Sequence, residues 1–261
     1  MPVEMKAASV LEGALRHDRI VAVGALLAVV LLSWAYLLSG AGTMQEMDGM
    51  LMPMSQSSWT AGHALLMLAM WVVMMTAMML PSAAPMILLY GTIARKRGTA
   101  AFAQAVFALG YLVVWASFSM IAVVLQFALE KAALLSPMME ATSMAFAGTV
   151  LIAAGVYQWL PVKQVCLRRC RSPLDFVMLH WREGTGGAFA MGLLHGAYCV
   201  GCCWALMLLL FVGGVMNLAW IAGLALFILV EKLAPAGHWI ARAAGALLAG
   251  WGMFVLLSLR A

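Results

Sequence analysis

The chain has 261 residues, of which 66% are hydrophobic and 10% charged, and its mean hydropathy is +1.01. That composition excludes a soluble globular domain and indicates an integral membrane protein with room for roughly seven spans of about 20 residues. The net charge of +5 calls for no nucleic acid, since the placement of Lys and Arg accounts for it, and the lack of a G-x-x-x-x-G-K-[ST] stretch excludes an ATP-driven motor.

The first apolar run, residues 20–38, follows Arg16 and Arg19. Longer than a signal-peptide core of roughly 7–15 residues, it reads as a retained anchor behind a cytoplasmic segment 1–19. Residues 39–62 form an external loop free of Lys and Arg, with Met44, Met47, Met50, Met52 and Met54 close together. Thioethers bind Cu(I) without losing a proton, so this cluster suits copper capture outside the cell; the plainer reading is a loop whose methionines dip into lipid. His63 could add a ligand.

The second run, 63–94, repeats Met67, Met70, Met74 and Met78 at helical spacing with Met75 and Met79 beside them. Methionine is flexible core filler, so packing is the first expectation for this stripe. Pro81 and Pro85 predict a kink. The third run, 101–129, ends at Glu130 and Lys131, and the fourth covers 143–161. A basic cytoplasmic loop, 162–186, then carries Cys166 and Cys170 among Arg168, Arg169 and Arg171, cations that favour thiolates. The fifth run is 187–212. The sixth, 214–231, ends at Glu231 and Lys232, which read as an interfacial charge pair, as do Glu130 and Lys131. The seventh, 239–258, offers Gly245, Ala249, Gly250 and Gly252 for close helix packing.

Backbone groups in lipid must be bonded internally, so the runs predict a single all-α membrane bundle over 1–261. Thirteen of the fifteen Lys and Arg fall at the N-terminus and in alternate connections, Lys131 and Arg260 being the others. This pattern predicts seven crossings with the N-terminus cytoplasmic.

No carboxylate falls at mid-depth, which removes the usual carrier of proton coupling. What remains is sulfur and imidazole. His195, Cys199 and Cys202 fall within about 60° of one another on the fifth helix, with Cys203 about 40° further round. A single buried cysteine is usually a small hydrophobe, but four such residues in nine positions argue for metal or redox chemistry.

The chain resembles an uncharacterised bacterial family of predicted metal-binding integral membrane proteins, a domain-of-unknown-function family. The resemblance rests on Met78-Met79-Leu80-Pro81 with Pro85, Gly110-Tyr111 with Trp115, Tyr157-Gln158, and Lys163 ahead of Cys166 and Cys170. It is strongest at His195-Gly196, Cys199-Val-Gly-Cys202-Cys203-Trp204 with Met207, Gly214-Val-Met216-Asn217 and Glu231-Lys232. It runs from about residue 63 to 240 and leaves the external methionines outside. It implies a helical membrane fold with a metal site at the cysteine block.

The expected function is metal handling, most simply binding of Cu(I) for transport or for delivery to a metallochaperone or metalloenzyme partner; zinc or another transition metal fits less well. His195, Cys199 and Cys202 would form the centre, Cys203 lying close and Met74 or Met78 completing it. The external methionines would collect ions and Cys166 with Cys170 would receive them. A thiol oxidoreductase using Cys199/Cys202 and Cys166/Cys170 is the main alternative. A haem protein or a structural subunit comes next, weakened by the lack of a histidine partner at depth for His195.

Overall fold

The computed structural model describes residues 2–40, 44–47, 50–53, 59–99, 102–136 and 139–259, with side chains described in 19–40, 59–99, 102–136 and 139–259. The described residues form helices α1 (Pro2–Leu38), α2 (Ala61–Lys96), α3 (Ala103–Lys131), α4 (Met144–Tyr157), α5 (Pro161–Arg171), α6 (Pro173–His180), α7 (Gly184–Met207), α8 (Leu210–Gly213), α9 (Leu218–Leu233) and α10 (Gly237–Leu257). One short hairpin interrupts them, β1 (Met44–Met47) pairing antiparallel with β2 (Met50–Pro53). Met44, Met47, Met50 and Met52 therefore lie on a hairpin backbone, and Met54 lies outside the described residues.

Helix ends follow local chemistry. Thr60, Ser143 and Asn217 cap α2, α4 and α9 by accepting from the amides of His63, Phe146 and Trp220 at 3.2, 3.3 and 3.1 Å. Gly214, at φ +92°, supplies the left-handed turn between α8 and α9. α2 is one continuous helix through both Pro81 and Pro85.

Among the described residues, five helices are long and apolar enough to cross a membrane: Arg19–Leu38 of α1, α2, α3, the α7–α8 unit and α10. A sixth span results if α4 and α5, bent by 64° at their junction, are taken together. The sixth expected run, 214–231, corresponds to α9, whose 16 residues reach about 24 Å, against a hydrocarbon core of about 30 Å. The junction of α4 and α5 departs from the expected continuous run because Leu160 precedes a proline, which pushes it to extended backbone (φ −65°, ψ 139°). The expected basic loop 162–186 is accordingly mostly helical, as α5 and α6, with Pro161 and Pro173 in their first turns.

The methionine stripe and the cysteine block lie on the interior helices α2 and α7. In their most apolar windows α2 and α7 are 56% buried, while α1 and α10 are 11% and 17% buried. α2 packs against α1, α3 and α9; α3 lies along α7; α5 rests on α7 and α9; α4 lies along α10. Small residues set the close crossings. A Cβ on Gly192 would strike the Phe107 carbonyl, and one on Gly110 would lie 3.0 Å from the Leu193 amide. On the α4–α10 seam, Gly148 and Gly155 meet Gly252, Gly245 and Ala249, whereas Gly250 faces open space. Three of the four small residues expected to pack on the last helix therefore do so.

Candidate metal centre

The inward face of α7 is written in its spacing: Ala188, Met191, Gly192, His195, Cys199, Cys202, Cys203 and Leu206 recur every three or four residues and are all buried. Gly192 and Gly196 let α3 approach, and this brings Tyr111, next to Gly110, onto Cys199, with Tyr111 Oη 3.1 Å from Cys199 Sγ. The Cys202 and Cys203 thiols turn back to donate to the Cys199 carbonyl at 3.0 and 2.9 Å.

Two neighbouring helices complete the cluster. On α5, Lys163, Cys166, Leu167 and Cys170 form one face by helical spacing, with Lys163 and Leu167 buried and the two cysteines half-buried. Cys170 Sγ stands 3.9 Å from Cys202 Sγ, and Cys166 Sγ lies where a Cβ on Gly201 would be 2.8 Å away. From α2, Met79 Sδ lies 3.9 Å from Cys203 Sγ. The two cysteine pairs, expected as separate stations, thus adjoin. Met74 and Met78 are buried on α2, but among the described residues the thioether contact with a cysteine belongs to Met79.

Lys232 corrects the expectation of an interfacial pair. It is 6% exposed, and its Nζ donates to Cys199 Sγ at 2.9 Å and to Ser82 Oγ at 3.0 Å. Ser82 donates on to the Met79 carbonyl at 2.8 Å, which also accepts from Tyr111 at 3.1 Å. A closed ring of hydrogen bonds therefore runs Lys232, Ser82, Met79, Tyr111, Cys199. Glu231 is likewise buried, paired with Lys163 of α5 at 2.6 Å, so a carboxylate lies inside the bundle where none was expected. Sequence reasoning did not place Met79, Tyr111, Ser82 or Lys232 in the site; the signal available was that Met79, Tyr111 and Lys232 stand among the residues that carry the family resemblance.

His195 sits one turn before Cys199, among the rings of Phe107, Tyr111 and Phe176 at 6.1, 5.7 and 5.4 Å. Its Nδ1 is buried without a hydrogen-bond partner among the described residues, a costly state for a polar atom that a ligand would relieve. Among the described residues, no three His, Cys, Asp or Glu side chains converge closely enough to hold a metal ion as they stand. The donors fit a soft ion through pairs instead. Metal–thiolate bonds of about 2.3 Å let two sulfurs 3.9 Å apart share one ion.

The fold and these side chains define a helical protein with membrane-length helices and a buried cluster of soft donors. The chain belongs to the family described as copper chaperone (PpoB2), which it matches over residues 68–255, from α2 to α10. No curated protein and no solved structure matches the chain. Copper handling is thus the family's description, and the matched region contains every residue of the cluster, while the methionine hairpin precedes it.

Proposed function

We propose that the protein is a membrane copper carrier that binds Cu(I) as cargo at the α2–α5–α7 cluster and passes it to a protein partner. The observation that carries this reading is the meeting of five sulfurs from three helices: Cys199, Cys202 and Cys203 of α7, Cys170 of α5 and Met79 of α2. Thiolate and thioether select Cu(I) over harder ions. Two thiolates around Cu(I) leave one net negative charge, which a medium of low dielectric penalises; the Lys232 ammonium on Cys199 offsets it. His195 offers a further donor. With the N-terminus cytoplasmic, as the distribution of Lys and Arg favours, Cys166 and Cys170 form the cytoplasmic edge of the site in the bacterial inner membrane, and Met44, Met47, Met50, Met52 and Met54 supply ions from outside.

The test is copper per chain in protein purified from copper-supplemented cells under reducing conditions. We expect about one copper per chain, falling severalfold in Cys199→Ser/Cys202→Ser. Equal copper in the two proteins would overturn the assignment.

One observation favours a second reading. Cys170 and Cys202, 3.9 Å apart, could close to a disulfide with loss of two protons and transfer of two electrons to an acceptor disulfide. A Cys170–Cys202 disulfide that forms in copper-free protein and passes to a partner would favour that oxidoreductase.

A further inference from the structure

A second cluster lies at the opposite end of α2 from its basic terminus, where α2 begins and α3 ends. Its centre is Gln126, fully buried on α3. The Trp71 indole donates to Gln126 Oε1 at 2.8 Å, which fixes the orientation of the amide and aims Nε2 the other way. Nε2 is met by three acceptors: Glu130 Oε1 at 2.8 Å, Met139 Sδ at 3.4 Å and Met67 Sδ at 3.5 Å. An amide nitrogen has two protons, so the cage holds more acceptors than its occupant can serve.

Two further observations mark this cage as more than packing. Met139 comes from the α3–α4 connection, adopts φ +56° and is still 3% exposed. A left-handed backbone is unfavourable for a side chain of this kind, and such outliers gather at binding sites. Glu130 has no cationic partner among the described residues. Its other oxygen accepts from Trp59 Nε1 at 2.7 Å, while Lys131, expected beside it as a charge pair, lies over the Phe127 ring at 5.6 Å.

We propose that Met67, Met139 and Glu130 form a separate Cu(I)-binding site, held in its empty form by the Gln126 amide standing where the ion would sit. The proposal rests on the copper reading above and adds a second station to it. Two neutral thioethers and one carboxylate make a neutral complex with a monovalent soft ion, the charge state that a buried site tolerates. The thioethers select Cu(I) or Ag(I) over zinc, and they need not be deprotonated. The site lies at the end of α2 that follows the methionine hairpin, in position to receive ions from it. No covalent or redox step is involved: the amide swings aside as the ion enters.

The experiment is anaerobic competitive Cu(I) titration of the full chain, with Ag(I) followed in parallel by the methyl resonances of labelled methionine. We expect two classes of site, the tighter removed by Cys199→Ser/Cys202→Ser and the weaker lowered at least about tenfold by Met67→Leu/Met139→Leu. Leucine for methionine nearly conserves volume, so the fold is kept, and each single variant gives an independent reading. Ag(I) should shift the Met67 and Met139 methyls in wild type. A weaker class untouched by these leucines, or one removed instead by leucines at Met44, Met47, Met50 and Met52, would overturn the proposal with the thiol site intact. Loss of the tight class alone bears on the copper reading at the cysteines and leaves the weaker class measurable.

Discussion

Lys163 and Glu231 lie 2.6 Å apart with side chains 0% and 3% exposed. A buried pair gains little over an apolar one, but removing a single partner strands a charge, at about 3–5 kcal/mol. Glu231→Gln should therefore lower the unfolding free energy of the protein in detergent by about that amount, and Lys163→Met/Glu231→Leu should regain most of it. If both single and double variants unfold like wild type, the pair is not what docks α5 on α9. The residues of α7 were legible because His195, Cys199 and Cys202 repeat on one helical face, a property of a single segment. Met79, Tyr111, Ser82 and Lys232 were not, because each meets Cys199 or its neighbours from another helix, and no spacing within a segment encodes that meeting. The methionine stripe of α2 is mainly core, as expected: Met67, Met70, Met74, Met75, Met78 and Met79 are all at most 1% exposed.

At the scale of elements, apolar runs set the helices and small residues set how they cross. Gly155 has no room for a side chain: its Cβ would lie 2.7 Å from the Gly245 carbonyl and from the Ala249 amide, both backbone. Gly155→Val should thus destabilise the protein by about 1–3 kcal/mol by forcing α4 from α10. Gly250→Val, directed at open space, should stay within about 0.5 kcal/mol. Equal unfolding midpoints for the two variants would contradict this seam. The hydropathy pattern located α2, α3 and α10 to within a few residues, because each is bounded by charged or Gly/Pro punctuation. It carried the fourth run to 161, past the end of α4 at Tyr157, because apolarity continues through Trp159 and Leu160 while the backbone turns ahead of Pro161. It also read the cytoplasmic cysteines as a loop, whereas the spacing of Lys163, Cys166, Leu167 and Cys170 is that of an amphipathic helix docked on α7.

Across the whole molecule, the two most buried of the five long apolar helices, α2 and α7, carry the methionine stripe and three of the five cysteines, and the more exposed α1 and α10 carry little sulfur. Soft donors recur along this interior, from Met67 and Met139 at one end to Met79 and the cysteines near the basic connections. In the function proposed above, such an arrangement would give Cu(I) a sequence of resting places out of water, away from harder competitors. The family match begins at residue 68, after the methionine hairpin and Met67, and covers the rest of that interior. Copper is proposed to rest on the sulfurs of α7, α5 and α2. The most direct test is X-ray absorption at the copper edge on protein loaded anaerobically with one equivalent of Cu(I), beside Cys199→Ser/Cys202→Ser. A first shell of two or three sulfurs at about 2.3 Å, diminished in the variant, is the predicted result; a shell of nitrogen and oxygen alone, or one identical in the two proteins, would contradict it.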